Sequence, residues 1–260
     1  MLISDMKIFR ATVRLTFLLV FTLTSYSIYF VGLIVPVVLR ITKDPWRNLF
    51  MRVWSWGACL ILNIRVTKEG TPPDAPFFLV SNHLSYIDIL PLFLHLKCTF
   101  VAKKEVRSWP LLGFMVMTTG VVFVDRVRKR DVKRVNKIIS GSLNRHQGMI
   151  VFPEGTTSGG DAVLPFRPPL LQYPASTSTP VHYASIRYET DEENGDLPAE
   201  ESVCFYGARD PFHKHLLKLA GNRRIDCTIR FGEKPVREDD RKILAEELQK
   251  RVNFIFEPME

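Results

Sequence analysis

Phe77-Phe78-Leu79-Val80-Ser81-Asn82-His83-Leu84-Ser85-Tyr86-Ile87-Asp88 runs from an apolar stretch through a polar turn towards a second apolar stretch. Phe77 to Val80 reads as a strand buried on both faces, because it is apolar without alternation and too short for a helix. Tyr86 to Leu94 reads as a short helix. A strand, a polar turn and a helix in succession are the repeating unit of an α/β fold.

The same alternation extends outward. Gly70 to Pro76 is a turn-rich break before the first strand. After it, Cys98 to Ala102 and Val121 to Val124 read as strands, with a helical stretch at Leu111 to Met117 between them. Asp131 to Arg145 has the periodicity of an amphipathic helix, and Met149 to Phe152 is another short strand. Val181 to Tyr188, Val203 to Tyr206 and Ile225 to Phe231 read as the remaining strands, with helices at Phe212 to Leu219 and Asp239 to Phe254. Glu189 to Glu201 reads as an exposed acidic loop. The fold expected is α/β: a mainly parallel sheet flanked by helices, over residues 66–260, preceded by a membrane-embedded helical hairpin over residues 1–65.

The hairpin is read from the first part of the chain. No charge interrupts Leu15 to Leu39, about 25 residues and long enough to span a bilayer. The run is too long for a signal peptide and lacks a cleavage site. Pro36 should bend its end. Lys7, Arg10 and Arg14 precede it and Arg40, Lys43, Arg47 and Arg52 follow, so the flanking charge gives no orientation. Trp46 to Ile64 reads as an interfacial helix, its tryptophans at headgroup depth and its arginines reaching phosphates. Two basic flanks and an interfacial second helix favour a hairpin in one leaflet over a single span.

Composition fits this reading. Of 260 residues, 46% are hydrophobic and 24% charged, which excludes a disordered chain. The 35 basic against 27 acidic side chains leave a net charge of +8, suited to an anionic membrane or phosphate-bearing ligand. The basic residues near Arg126 to Arg134 are not interleaved with stacking aromatics, and the apolar N-terminus points to a membrane, which argues against nucleic acid. Cys59, Cys98, Cys204 and Cys227 are scattered in apolar surroundings, as buried reduced thiols would be, and form no metal-binding spacing.

Three stretches carry chemistry. His83 and Asp88 follow a strand, where open α/β sheets bind ligands. Five positions apart, they cannot meet on one helix. If a turn joins them, Asp88 can fix the imidazole tautomer and raise the basicity of the other nitrogen. No G-x-S-x-G serine accompanies them, so such a pair would activate a hydroxyl of the substrate. Phe152-Pro153-Glu154-Gly155-Thr156-Thr157-Ser158-Gly159-Gly160 follows another strand and offers backbone N–H groups and acceptors for a headgroup. Gly120 to Arg126 ends a strand on an arginine, a planar fork for phosphate.

Taken together, His-x4-Asp, then strand-Asp-Arg, then Phe-Pro-Glu-Gly-Thr resembles the glycerolipid acyltransferase family, notably its 1-acylglycerol-3-phosphate acyltransferases. Ala102-Lys103-Lys104-Glu105 with Pro110 and Gly113, and Thr179-Pro180-Val181, resemble further family motifs. The resemblance implies that His83 is the general base and Asp88 orients it. Arg126 would bind the acceptor phosphate with Lys103 nearby, and Glu154, Gly155 and Thr156 would hold the glycerol or headgroup. The acyl donor would be acyl-CoA or acyl carrier protein, with no bound cofactor and no metal. The acceptor would be a membrane lysophospholipid, at the cytoplasmic face of a bacterial inner membrane.

One departure bears on the acceptor. Many members carry arginine after Glu-Gly-Thr, where this chain has Thr157. The Thr-Thr-Ser-Gly version resembles a bacterial subgroup in which some members acylate lyso-ornithine lipid, and Arg167 could supply the missing charge. Two competing functions use the same residues: a thioester or lipid-ester hydrolase, and a lipid-binding protein without turnover.

Overall fold

The structure, a computed structural model, describes residues 2–104, 107, 112–118, 120–124, 131–207 and 210–259. Two helices and a short turn of helix come first: α1 (Leu2–Gly32), α2 (Ile34–Val38) and α3 (Asp44–Leu62). There follow β1 (Ile64–Glu69), β2 (Phe78–Ser81), a 3-10 turn (Tyr86–Asp88), α4 (Ile89–His95), β3 (Cys98–Lys103), α5 (Leu112–Thr118) and β4 (Val122–Val124). Next are α6 (Asp131–Ser142), β5 (Gly148–Val151), α7 (Gln172–Ser176), β6 (Val181–Thr190) and α8 (Ala199–Ser202). The last elements are α9 (Phe212–Gly221), β7 (Ile225–Phe231) and α10 (Arg241–Ile255).

The strands form one seven-stranded sheet in the order β1-β7-β6-β2-β5-β3-β4. Every neighbouring pair is parallel except β6 and β7, which run antiparallel with Ala184 opposite Phe231 and Thr190 opposite Ile225. Helices cover both faces, which is why β2 and β5 are buried along their whole length. Alternate residues serve opposite layers. Phe77 and Leu79 pack with α3, α4 and α9, through Trp54, Leu92 and Leu219. Phe78 and Val80 pack with α6, α7 and α10, through Ile139, Ala175 and Leu248. All four cysteines are buried free thiols, as the apolar surroundings implied.

Three expectations are corrected. Val203 to Tyr206 is no strand. It leaves α8 as an irregular segment whose Phe205 N–H bonds to the Leu84 carbonyl, and its apolar side chains bury there instead of in the sheet. The seventh strand is β1, whose alternating Ile64, Val66 and polar neighbours suit an edge. Glu189 to Glu201 is also not simply an exposed loop: it completes β6, forms α8 and buries Asp196. In α3, Arg47 is buried and ion-paired with Asp44 at 3.0 Å, with a further bond to Gln147, so it does not face lipid. The indoles of Trp46 and Trp54 likewise turn inward, donating to the Tyr29 carbonyl at 3.0 Å and the Thr22 hydroxyl at 3.2 Å.

α1 and α3 pack as an antiparallel pair. Tyr29 stacks on Phe50 near the turn, and any Cβ at Gly57 would collide with the Phe21 ring. α1 ends at Gly32, the residue whose carbonyl the ring of Pro36 would crowd. The segment from Asp5 to Val38 is long and apolar enough to cross a membrane. Yet it is held to the α/β layers along its length. Near its start Arg10 donates to the Gly221 carbonyl at 2.9 Å, and near its end Tyr26 bonds Thr118 at 3.0 Å. A helix fixed at both ends to one side of the domain lies along it rather than leaving it. Its outer face stays apolar: Phe9, Phe17, Val20, Leu23, Val31 and Val38 are exposed, and so are Val53, Trp56 and Leu60 of α3.

Candidate active site

β2 ends at Ser81, and Asn82 locks the exit. Its side chain mimics a strand residue, accepting from the Ile186 N–H at 2.8 Å and donating to the Ile186 carbonyl at 2.9 Å. The chain then runs extended through Ser85 and turns through Tyr86–Asp88 into α4. This turn is what brings His83 and Asp88 together, since one continuous helix would have kept them apart.

His83 Nδ1 lies 2.7 Å from Asp88 Oδ2. The same oxygen accepts from the backbone N–H of Leu84 at 2.8 Å and of Ser85 at 3.1 Å, and Oδ1 accepts from the Tyr188 hydroxyl at 3.0 Å. Asp88 is fully buried, and these donors replace the water it has lost. A carboxylate so held takes the Nδ1 proton as its hydrogen bond, which leaves Nε2 as the basic lone pair. Nε2 has no hydrogen-bond partner among the described residues, and the side chain is 23% exposed. The ring lies flat on Phe152, centroids 4.0 Å apart at 10°, and Phe152 in turn stacks on Phe100.

Tyr188 is a site residue that the sequence did not disclose. Burial and the adjacent Asp88 charge hold its phenol well above the usual range, so it remains a donor. Tyr188→Phe leaves Asp88 Oδ1 without that donor, and we expect a loss of about 1–2 kcal/mol in urea unfolding with a several-fold fall in turnover.

The second loop packs against the first. After β5, Gly155 turns the chain with φ +75°, a left-handed conformation that favours glycine. Ser158 N–H then bonds to the His83 carbonyl at 2.9 Å, and the Thr157 hydroxyl bonds to the Phe205 carbonyl. Thr156 is exposed, whereas Glu154 points inward and is 1% exposed. Arg167 closes the loop from outside through Nε to the Glu154 carbonyl at 3.1 Å, leaving its terminal nitrogens towards solvent. Arg126 lies outside the described residues, as does the Lys103 side chain, although its backbone ends β3.

The Glu154 carboxyl oxygens have no partner in hydrogen-bond geometry among the described residues. Burial pushes this carboxyl up to about 8; the nearby backbone N–H groups of His83 and Leu164 oppose the shift and Asp88 reinforces it. Its folded pKa is raised above the unfolded value of 4.5. As pH rises between these values, the unfolded chain gives up a proton that the folded chain keeps, so stability falls through that window and levels off above it. Glu154→Gln should therefore match wild type near pH 4 and exceed it above about pH 8, by on the order of 3 kcal/mol, in urea titrations across that range.

Comparison with known proteins agrees with this architecture. The Acyltransferase family matches residues 63–187. A lyso-ornithine lipid O-acyltransferase of Pseudomonas aeruginosa is 31% identical over 211 residues, 81% of this chain and 79% of that protein. A 1-acyl-sn-glycerol-3-phosphate acyltransferase of Neisseria gonorrhoeae is 33% identical over 163 residues, 62% of this chain; the match spans 63% of that protein's length. The solved structure of PlsC, the 1-acyl-sn-glycerophosphate acyltransferase of Thermotoga maritima, has the same fold, with a TM-score of 0.56 and 21% identity over 93% of this chain and 97% of that one. The chain belongs to the glycerolipid acyltransferase family. Within it, these relatives are acyltransferases named for lysolipid acceptors.

Proposed function

We propose that the protein transfers a fatty acyl group from a thioester, acyl-CoA or acyl carrier protein, to the free hydroxyl of a lysophospholipid. The observation that carries this is the His83–Asp88 pair with Nε2 unpartnered among the described residues. A base without a hydrogen-bonded protein nucleophile serves a hydroxyl brought by the substrate. Nε2 takes the proton of the lysolipid hydroxyl as its oxygen attacks the thioester carbonyl. The tetrahedral intermediate then expels the thiolate, which recovers the proton from His83. No acyl-enzyme forms. Asp88 holds the tautomer, and Glu154, Gly155 and Thr156 belong to the loop that meets the headgroup.

For the acceptor we favour 1-acylglycerol-3-phosphate, acylated at sn-2 to phosphatidic acid. Arg167 supports it: its terminal nitrogens are free to meet a phosphate beside the Glu154 loop, together with Arg126 and Lys103 from the sequence motifs. The second reading is lyso-ornithine lipid. It is favoured by Thr157, which bonds to Phe205 where many family members carry an arginine, and by the relative aligned over most of this chain. Hydrolysis of the thioester would use the same base with water as acceptor.

The apolar outer face of α1 and α3 is read as lying in one leaflet, at the cytoplasmic face of the inner membrane, so that lysolipid reaches the site from the bilayer and the thioester from the aqueous side. Purified protein in detergent, given labelled acyl-CoA and each lysolipid separately, tests the assignment. Phosphatidic acid as the main product supports the first reading and acyl-ornithine lipid the second. Release of free fatty acid with neither acceptor used would overturn both.

A further inference from the structure

At the start of the hairpin, four arginines from three segments converge on one open depression: Arg10 from α1, Arg65 from β1, and Arg223 and Arg224 ahead of β7, with Asn63 and Asp191 between them. The nearby acids are already engaged. Asp226 holds Arg224 at 2.7 Å, and Asp196 accepts from the backbone N–H of Arg223 and Arg224 at 2.6 and 3.3 Å. Arg10 is 3.9 Å from Asp196 and spends Nη1 on the Gly221 carbonyl. Asp191 accepts from the Asn194 side chain. Arg65 and Arg223 are exposed and have no carboxylate partner among the described residues.

The depression also lies where the apolar face of the hairpin ends. Phe9, next to Arg10, is 73% exposed, and Leu60, in the last turn of α3 before Asn63 and Arg65, is 60% exposed. Exposed apolar surface bordered by unpaired guanidinium groups is the chemistry of a bilayer rim: acyl chains against the helices, phosphates against the forks. A soluble anion would need no apolar neighbour.

We propose that Arg65 and Arg223, supported by Arg10, form a binding site for the phosphate of an anionic phospholipid, separate from the acceptor site at His83. The site fixes how the hairpin lies on the membrane and makes attachment depend on anionic lipid. The proposal rests on the leaflet-embedded reading of α1 and α3, and the test separates the two.

The test is flotation of full-length protein with phosphatidylcholine vesicles and with phosphatidylcholine–phosphatidylglycerol vesicles, for wild type and the R65Q/R223Q double variant, with circular dichroism to check folding. Wild type should bind both and prefer the anionic vesicles. The variant should keep its binding to neutral vesicles and lose the preference, about fivefold for each arginine. R65K/R223K should retain most of it, and about 0.5 M salt should reduce it in wild type. An undiminished preference in the glutamine variant overturns the proposal. So does a raised KM for acyl-CoA with vesicle binding unchanged, which would assign the cluster to a soluble phosphate. Failure of wild type to bind neutral vesicles at all would instead overturn the embedded hairpin.

Discussion

His83→Ala is expected to lower kcat for acyl transfer by about a thousandfold, in line with the loss of a positioned general base. The substitution removes the only group in the described site whose basic nitrogen is both oriented and open to substrate. It should leave the fold intact. The ring caps Phe152 at the surface, while the turn around it is held by backbone bonds from Ser158 and by Asn82. Lysolipid and thioester should still bind, so KM changes little and the loss falls on kcat, the pattern of an interaction made in the transition state. Steady-state kinetics with a circular dichroism control would check this. A variant retaining more than about a tenth of the activity would remove His83 from the role of base.

Asp88→Asn is expected to combine a large kinetic loss with a loss of stability, and in this it differs from His83→Ala. The buried carboxylate accepts from His83, Tyr188 and two backbone N–H groups. An amide offers one accepting oxygen, and its NH2 group faces donors. If it takes the Oδ2 position it faces Leu84, Ser85 and His83 together, so the turn is strained and the imidazole takes the wrong tautomer, with Nε2 carrying the proton; in the Oδ1 position it faces the Tyr188 hydroxyl, which must turn from donor to acceptor. We expect a fall in kcat of about a hundredfold or more and a destabilisation of about 3 kcal/mol. Urea unfolding alongside kinetics would check both. A variant equally stable and only mildly slower would mean that the carboxylate neither orients the ring nor organises the turn.

The sequence disclosed what rests on local pattern. Buried strands show as unbroken apolar runs, and the requirement that a turn join His83 to Asp88 follows from helical geometry alone. Both are present. What rests on distant partners was not legible. Tyr188 is 100 residues from the carboxylate it serves. Its donor role arises only because β6 pairs directly with β2. Arg47 looked like a lipid-facing arginine because a helical periodicity shows amphipathicity but not what covers a face; here Asp44 and Gln147 do. Val203 to Tyr206 was a strand by composition, yet its backbone bonds to the His83 loop, and the edge position went to β1, whose alternating pattern is weaker. Basic flanks and an interfacial second helix favour a hairpin in one leaflet, but they do not disclose how α1 meets the domain, which depends on the distant partners Gly221 and Thr118. Of the motif residues, Glu154 is buried beside the His83 loop, a burial that its Glu-Gly turn does not disclose.

We propose that transfer is direct, His83 activating the lysolipid hydroxyl while the protein never carries the acyl chain. Purified protein would be mixed with an acyl-labelled thioester, first without and then with lysophospholipid, and quenched in denaturant at early times. With direct transfer, label passes from thioester to diacyl lipid only when acceptor is present, with none on the protein and none of this transfer in His83→Ala. Label bound to the protein before the acceptor is added, or released as free fatty acid without it, would rule out direct transfer.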